Sequence, residues 1–317
     1  MLTGPQSPLE PDLTIGLGGL QLDNPVMPAS GTYDWSPDSS GPLDPEELGA
    51  IVTKSITLAP REGNPPPRIY EGPGYVLNSI GIPSKGYQAY REHYLIPMAS
   101  LRTRVITSIA GFTAEEFGEL AARLDEEPRV DAIEINLSCP NIETESIFAT
   151  DLRATQTIVQ TVRRVTRKPL IAKLSPNVSD IRPFAEAALE SGADALCIAN
   201  TFTGMAIDPL HLRPRLGYGR GGVTSRALLP IVLHHVWRAY EALRAPIVAS
   251  GGIFTPDDAL QYLLAGAQAI QVGTANFTDP TAMRSIREGI RSYLATRGIP
   301  RLQDLVGQAH LLEGVAG

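Results

Sequence analysis

Leu170-Ile-Ala-Lys-Leu174 and Ala195-Leu-Cys-Ile-Ala199 are two nearly continuous apolar runs, and a helical pattern lies between them. From Ile181 to Leu189 the apolar residues fall at the i, i+3, i+4, i+7 and i+8 positions of an amphipathic helix. Strands that are covered on both faces of a parallel sheet read as continuous apolar runs. The segment therefore predicts a strand–helix–strand unit in a parallel sheet.

The same alternation extends along most of the chain. Six further apolar runs predict strands at Pro25–Pro28, Ala50–Thr53, Val105–Ile109, Ala132–Leu137, Ile247–Ala249 and Ala269–Val272. Helices are predicted over residues 152–166, 227–243 and 281–296, and capping-box spacing at Thr113/Glu116 and Thr255/Asp258 predicts two more. Eight strands that alternate with helices over roughly 250 residues favour an α/β protein with a (β/α)8 barrel. A doubly wound open sheet is the alternative.

The segments outside this alternation have their own expected places. Residues 1–12 contain four Gly and Pro residues and no apolar period, so they are expected to form a flexible arm ahead of a single domain over residues 13–317. Gly16-Leu-Gly-Gly19 predicts a hairpin that covers the bottom of the barrel. The connections Thr57–Leu101 and Phe202–Arg226 are too long for plain loops and are expected to form long active-site loops.

Composition excludes several classes of function. The 317 residues carry 27 basic and 34 acidic side chains, a net charge of −7, which disfavours binding to nucleic acid or to an anionic membrane. Two cysteines are too few for a disulfide framework, a four-thiolate zinc site or an iron–sulfur cluster. The sequence has no apolar run of 18 residues and no signal-peptide pattern, so a cytoplasmic protein is expected.

Small, polar or cationic residues stand where each predicted strand ends. They are Ser30-Gly31, Lys54-Ser55, Ser108, Asn136, Lys173, Asn200-Thr201, Ser250-Gly-Gly252 and Gly273-Thr274. The carboxyl ends of barrel strands meet at one rim, where barrel enzymes place their active sites. The sequence therefore predicts one shared site.

The residue types at this rim suggest its chemistry. The glycines after the last two strands can let backbone N–H groups approach a phosphate, aided by a helix N-terminus, or they only form tight turns. Lys54 and Lys173 each end an apolar run. Because a buried ammonium without an anion is costly, they predict an electron-rich ligand, unless their side chains reach the solvent.

The two cysteines have different surroundings. Cys197 lies within an apolar run and is expected to be a small core residue, whereas Cys139 lies in a polar turn where it can serve as a base or nucleophile. Asn78, Asn136, Asn141 and Asn200 offer paired donors and acceptors to a planar, amide-rich substrate, although each alone can be a turn residue.

Two motifs are set aside. Gly217–Gly222 matches the spacing GxGxxG but follows no predicted strand, so it is interpreted as part of a mobile loop over residues 204–226 rather than a nucleotide site. His234 and His235 are adjacent on a predicted helix and point apart, which disfavours a metal site.

The motifs, taken in order, resemble those of the dihydroorotate dehydrogenases. They are Thr53-Lys-Ser55, Arg61-Glu-Gly-Asn-Pro65, Asn78-Ser-Ile-Gly-Ile82, Ile135-Asn-Leu-Ser-Cys-Pro-Asn141, Lys173-Leu-Ser-Pro-Asn177, Asn200-Thr201, Ser250-Gly-Gly252 and Val272-Gly-Thr-Ala-Asn276. The resemblance spans about residues 13–310. It implies a TIM-type barrel that binds FMN and oxidises (S)-dihydroorotate to orotate in de novo pyrimidine biosynthesis.

The resemblance also implies roles for matching residues. FMN contacts are implied for Ser30, Lys54, Ser55, Ser108, Asn136, Lys173, Ala199, Ser225, Gly251, Gly252, Gly273 and Thr274. Substrate contacts are implied for Lys54, Asn78, Ser79, Ile80, Gly81, Ile82, Asn136, Asn141, Asn200 and Thr201. Cys139 stands at the catalytic-base position, where it would take the C5 proton while FMN accepts the C6 hydride. Lys173 would stabilise negative charge on the reduced flavin.

The subclass signals are mixed. Cys139, where the membrane-bound class has serine, is similar to the soluble class 1. Lys173–Val178 and Gly273–Phe277 resemble the NAD-linked class 1B, which implies an electron-transfer subunit carrying FAD and a [2Fe–2S] cluster. Thr53–Ser55 and Ser108–Gly111 are more similar to class 1A, a fumarate-using homodimer.

Ser108 and Ser225 depart from the class 1B pattern, which has asparagine and glycine at these positions. A homodimer is expected, with neither nucleic acid nor membrane as a partner. Two other interpretations stay open. The chain can be another FMN-dependent dihydropyrimidine oxidoreductase, or a flavin-binding barrel without catalysis.

Overall fold

The computed structural model describes residues 10–35, 41–138 and 150–311. Its strands are β1 (Ile15–Leu17), β2 (Leu20–Leu22), β3 (Val26–Pro28), β4 (Ala50–Val52), β5 (Ile69–Gly72), β6 (Tyr75–Asn78), β7 (Arg104–Ile109), β8 (Ala132–Asn136), β9 (Leu170–Lys173), β10 (Ala195–Ile198), β11 (Phe202–Gly204), β12 (Ile207–Asp208), β13 (Arg213–Pro214), β14 (Gly221–Thr224), β15 (Ile247–Ser250) and β16 (Ala269–Val272).

Eight α-helices lie within the described ranges. They are α1 (Gly86–Tyr90), α2 (Ala114–Asp125), α3 (Leu152–Val165), α4 (Arg182–Glu190), α5 (Leu229–Leu243), α6 (Pro256–Leu264), α7 (Ala275–Thr278) and α8 (Ala282–Arg297). A π-helical turn follows α1 at Arg91–Leu95. Short 3-10 helices cover Pro45–Glu47, Pro97–Ser100, Arg226–Leu228, Leu302–Asp304 and Gln308–Leu311.

The eight strands predicted from apolar runs form one parallel sheet. Its order is β3-β16-β15-β10-β9-β8-β7-β4. From β4 to β16 neighbouring strands follow one another along the chain, and the first strand, β3, lies beside the last, β16. This is the order of a barrel, and it excludes the doubly wound alternative. The two end strands, β3 and β4, lie side by side without a hydrogen-bonded ladder among the described residues. Gly49 N, just before β4, donates to Val26 O at 2.9 Å. The barrel is therefore nearly closed, with a seam between β3 and β4.

The helices pack against the barrel as their sequence pattern predicts. In α2 the side chains of Phe117, Leu120, Ala121 and Leu124 are fully buried. Helix α6 has the complete capping box, in which the Thr255 and Asp258 side chains each accept from the other's backbone N–H. In α2 only half of the box forms, because the Glu116 carboxylate accepts from Phe112 N instead.

The N-terminal hairpin lies at the amino ends of the barrel strands, as predicted. Gly18, at its turn, has a positive φ of 52°. A Cβ there would lie 2.7 Å from the carbonyl oxygen of Asp194, which immediately precedes β10. Only glycine allows this approach of two backbones.

The two long connections are not plain loops, as their length predicts, and they contain strands that the sequence pattern did not predict. They pair with each other in a four-stranded antiparallel sheet of order β11-β14-β6-β5, and β12 and β13 form a further hairpin. Within itself each connection forms only two-stranded pairs, which are marginally stable alone, and pairing the two connections satisfies backbone groups that loops would leave to water. The segment over residues 204–226, predicted to be a loop, contains the strands β12, β13 and β14.

Within the described residues, no helix is long and apolar enough to cross a membrane.

Candidate active site

A chain of side-chain hydrogen bonds runs across the carboxyl ends of five barrel strands, β3, β4, β7, β8 and β10. The Ser55 hydroxyl lies at its centre, 3.2 Å from Ser30 Oγ and 2.9 Å from Ser108 Oγ, and it accepts from Asn136 Nδ2 at 3.2 Å. Asn200 Nδ2 donates to Asn136 Oδ1 at 3.1 Å. The structure thus brings these five predicted site residues together at one rim.

Ser108 is hydrogen-bonded within the protein, and its predicted contact with FMN stays a prediction. It is completely buried, and its hydroxyl is used by Ser55 while its backbone N–H donates to Thr53 Oγ1 at 3.3 Å. The buried Ser108 hydroxyl therefore helps to fix the position of the Ser55 hydroxyl. Ala199 is likewise buried, and its N–H donates to the carbonyl of Ser250.

A cavity of about 770 Å³ opens beside this rim, at the seam between β3 and β4. Its walls come from Gly31–Trp35 after β3, from Ile51 to Ile56 on and after β4, and from the segment between Gly86 and Met98. The Lys54 side chain lines it close to Gly31.

Lys54 has no hydrogen bond or ion pair to any described residue. The side chain is exposed, but the walls of the cavity surround it and this partial burial lowers the pKa of its ammonium. A cation without a protein partner, held in a cavity, is available to an anionic ligand.

Lys173 lies in the barrel interior and is satisfied by the protein itself. It is 5% exposed, its Nζ donates to Gln271 Oε1 at 2.8 Å, and Glu134 Oε1 lies 3.7 Å away. Burial is the largest single influence and lowers the pKa of Lys173, but the Glu134 carboxylate, by charge and hydrogen bonding, and the Cys197 side chain together outweigh it, and the net direction is upward. The interpretation that this lysine needs an external electron-rich ligand is therefore incomplete, because Glu134 supplies an anion from within the chain.

The glycine-rich rims have the close backbone approach that a phosphate cradle requires. Gly251 and Gly252 have positive φ values of 145° and 68°. A Cβ on Gly252 would lie 2.6 Å from Leu229 N and 2.9 Å from Arg226 O. Gly273 is less crowded, since a Cβ there would lie 3.6 Å from Ala29 Cβ.

The expected help from helix N-termini is smaller than the sequence suggested. Helix α6 starts at Pro256, four residues beyond Gly252, and its own capping box occupies its first N–H groups. Helix α7, after Thr274, has only four residues. The Ser225 hydroxyl donates to Gly74 O at 2.7 Å and accepts from Ala227 N at 3.1 Å, so its side chain is held within the protein.

The predicted substrate segment from Asn78 to Ile82 extends β6 toward the same region. Asn78 pairs in register with Gly222 of β14. Ser79 is buried and its hydroxyl accepts from Asn64 Nδ2 at 2.8 Å. Gly81 and Ile82 both have positive φ, and Ile80 and Ile82 are half-buried.

The sequence reasoning did not select three polar residues that organise this site. Asn177 donates to Thr201 O at 3.1 Å and accepts from Thr203 N at 2.8 Å, which fixes the segment after β10. Glu134 and Gln271, both fully buried, hold Lys173. Each of the last two was detectable as a lone polar residue within an apolar strand run.

Two predicted site residues, Cys139 and Asn141, lie outside the described residues. Ser138, just before them, has a buried hydroxyl oxygen with no hydrogen-bond partner among the residues that the structure describes. Cys197 is fully buried, as predicted, and burial raises its thiol pKa to about 12.

The chain matches known proteins over most of its length. A family model described as dihydroorotate dehydrogenase matches residues 12–294. A curated relative from Geotalea daltonii is 47% identical over 299 residues, covering 94% of this chain and 98% of that protein. A relative from Desulforamulus reducens is 46% identical over 301 residues, covering 95% and 99%. Both are named "Dihydroorotate dehydrogenase B (NAD(+)), catalytic subunit".

A solved structure shows the same fold. The crystal structure of DHODH from Eimeria tenella in complex with ferulenol superposes with a TM-score of 0.76. It is 24% identical in sequence, and the match covers 98% of this chain and 91% of that one.

Proposed function

The chain belongs to the dihydroorotate dehydrogenase family, and from this premise we propose that it oxidises (S)-dihydroorotate to orotate in pyrimidine biosynthesis. The observation that carries the proposal is the hydrogen-bonded rim of Ser30, Ser55, Asn136 and Asn200 beside the Lys54 ammonium, which has no partner among the residues that the structure describes. A rim of amides next to a free cation suits a planar, amide-rich carboxylate such as dihydroorotate.

The residues present fit FMN as the cofactor. The crowded backbone at Gly252 leaves no room for a side chain and suits a phosphate held by main-chain N–H groups. Ser30, Ser55, Asn136 and Lys173 would hold the ring, and Gly251, Gly252, Gly273 and Thr274 would hold the phosphate. Bound FMN supplies the acceptor for the hydride that leaves C6 of the substrate.

The substrate would be held by residues of both the rim and the antiparallel sheet. The Lys54 ammonium would bind the substrate carboxylate, and the amides of Asn78, Asn136 and Asn200 would orient the pyrimidine ring. The hydrogen bonds that Asn177 donates to Thr201 O and accepts from Thr203 N limit the freedom of this segment before substrate arrives. Such preorganisation lowers the entropic cost of placing C5 and C6 correctly.

Cys139 is the proposed base that takes the C5 proton. A thiol of ordinary pKa, about 8.5, is largely protonated at neutral pH, so activity is expected to rise toward alkaline pH. Asn141 is proposed to contact the substrate from the same segment of the chain.

Electrons must then leave the reduced flavin. The relatives are named as catalytic subunits of an NAD(+) enzyme, and we propose a separate partner subunit that carries FAD and a [2Fe–2S] cluster. Two cysteines in the whole chain cannot hold that cluster by four thiolates. Copurification of a red-brown subunit would support this arrangement, whereas efficient fumarate reduction by a homodimer of the chain alone would contradict it.

An anaerobic absorbance experiment tests the function directly. Purified protein should show a flavin spectrum that bleaches when dihydroorotate is added, and orotate should appear in equal amount. Cys139→Ser should keep its FMN and slow bleaching by roughly 100-fold or more. Bound FMN that dihydroorotate does not reduce would contradict the proposed substrate, and an unchanged rate in the variant would remove Cys139 as the base.

A further inference from the structure

We infer that Glu134 is a positioning residue for the flavin site, which acts by holding the Lys173 ammonium charged and in place through Gln271. The inference rests on the proposed function, because it takes Lys173 as a contact of the flavin. It assigns a role to a buried carboxylate that neither substrate binding nor proton removal uses.

The geometry defines one connected group inside the barrel. Glu134 on β8, Lys173 on β9 and Gln271 on β16 come from three different strands. Gln271 Nε2 donates to Glu134 Oε2 at 2.5 Å, and Gln271 Oε1 accepts from Lys173 Nζ at 2.8 Å. The carboxamide can satisfy both neighbours in one orientation only, with nitrogen toward the carboxylate and oxygen toward the ammonium.

Glu134 supplies the negative charge that compensates the Lys173 ammonium. Glu134 Oε1 is buried, accepts no hydrogen bond from the described residues, and lies 3.7 Å from Lys173 Nζ. It therefore acts on Lys173 through charge, while the amide bridge fixes distance. Removing the negative charge would leave a fully buried ammonium without compensation.

This group lies one layer below the rim. Asn136 and Glu134 are two residues apart on β8 and so face the same side of the sheet, and Asn136 pairs in register with Lys173. A change at Glu134 thus reaches the proposed flavin site through Lys173 without touching the substrate residues.

The protonation of Lys173 is controlled by few groups. Among the described residues, the charged or titratable side chains that act on it are Glu134 and Cys197. Burial raises the pKa of the Cys197 thiol to about 12, so this thiol stays neutral below that pH. Burial alone lowers the pKa of Lys173, and Glu134 is the main cause that raises it.

The first test uses FMN-free protein and does not depend on the flavin. Glu134→Gln keeps the shape of the side chain and removes its charge, so thermal unfolding at pH 7 should occur at a lower temperature. With the pKa of Lys173 lowered in the folded variant, the unfolded chain binds more protons, and stability should rise with pH. The deficit should therefore shrink from pH 7 to pH 10, and adding Lys173→Met should remove its pH dependence.

This stability test has clear opposing outcomes. A deficit that stays constant with pH, or a double variant as unstable as the single one, would overturn the inference. If Glu134→Gln alone does not fold, recovery of folding in the double variant supports the pairing and its absence contradicts it.

The second test reads the flavin itself. In FMN-loaded protein, the midpoint potential of Glu134→Gln should fall relative to wild type as pH rises from 6 to 10, because Lys173 loses its charge in the variant only. Glu134→Asp, which keeps the charge, should run parallel to wild type. A parallel line for Glu134→Gln would overturn the inference. Wild-type protein that binds no FMN would overturn the proposed function, and the stability test would still decide the pairing.

Discussion

The two lysines that end barrel strands stand in opposite surroundings. Lys173 is enclosed in the barrel and has its counter-ion, Glu134, and its hydrogen-bond acceptor, Gln271, within the chain. Lys54 lines the cavity at the β3–β4 seam and has no partner among the described residues. The pKa values of the two lysines also shift in opposite directions: burial lowers that of Lys54, whereas Glu134 and Cys197 together outweigh burial and raise that of Lys173.

The charge of Lys173 is compensated by the protein itself, whereas the charge of Lys54 has no counter-ion among the described residues. A buried ion pair costs desolvation of both ions, and it is strongly destabilised when one partner is removed. An ammonium without a partner contributes little to folding and is free to bind an anion. The same residue type at equivalent strand ends is therefore compensated by the protein in one place, and in the other it is proposed to bind a ligand.

The largest effect is expected on stability from Lys173→Met. The substitution leaves Glu134 buried without its counter-ion, which should lower the free energy of unfolding by about 3–5 kcal/mol. Urea denaturation measures this difference. Lys54→Met is the matched control and should change the free energy of unfolding by less than about 0.5 kcal/mol. Equal losses of unfolding free energy in Lys173→Met and Lys54→Met would contradict the proposed difference between the two lysines.

The next effect is on catalysis, where substitution of Lys54 is expected to impair use of the substrate more than substitution of Lys173. Lys54→Met removes the proposed partner of the substrate carboxylate, at a cost of about 2–5 kcal/mol. This corresponds to roughly 30- to 5,000-fold lower kcat/KM for dihydroorotate. Steady-state orotate formation measures it, and a kcat/KM within twofold of wild type would show that Lys54 does not bind the substrate.

A smaller effect is expected on FMN binding when Gly252 is replaced. Alanine there meets Leu229 N at 2.6 Å and has a φ of 68°. Gly298→Ala is the control, because its φ is 67° and nothing lies within 4 Å of a Cβ. Both should lose about 1–2 kcal/mol of stability from backbone strain, and Gly252→Ala should lose more than Gly298→Ala because its Cβ meets backbone atoms. Gly252→Ala should in addition bind FMN at least about tenfold more weakly, a loss of about 1.4 kcal/mol, as measured by fluorescence quenching. Equal FMN affinity in the two variants would argue against the phosphate site.

The smallest effect is a pH dependence of orotate binding at Lys54. Burial lowers the pKa of Lys54, so its charge is present at low pH and is lost as pH rises through that lowered pKa. The affinity for orotate should then fall by up to about tenfold per pH unit above the pKa. Binding is followed by the change in the flavin spectrum. Lys54→Arg, which stays charged, should bind orotate with a flat profile over this range, and a flat wild-type profile would contradict the assignment.

Much of the barrel was predictable because each strand is buried on both faces and therefore reads as an apolar run. The runs at Leu170–Leu174 and Ala195–Ala199 match β9 and β10 to within one residue at each end. The pairing of residues 57–101 with residues 202–226 was not predictable, because the strands that join them, β6 and β14, are only four residues long and their paired residues Asn78 and Gly222 are 144 positions apart in sequence.

The candidate site was predicted in its members more fully than in its contacts. Ser30, Ser55, Asn136 and Asn200 were selected because they follow strands, and the structure joins them by hydrogen bonds. The counter-ion of Lys173 was missed, since Glu134 lies 39 residues away in sequence and approaches only when β8 and β9 pair. The partner of a buried charge is a matter of distance in space, which the order of residues does not contain.

The sequence by itself determined the number and order of the barrel strands and the rim at which the polar residues gather. The reason is that side-chain burial and strand direction are local properties that repeat along the chain. Only the tertiary structure decided which lysine is neutralised from within and which faces a cavity. That choice depends on which strands are neighbours and on where the barrel remains unclosed, between β3 and β4.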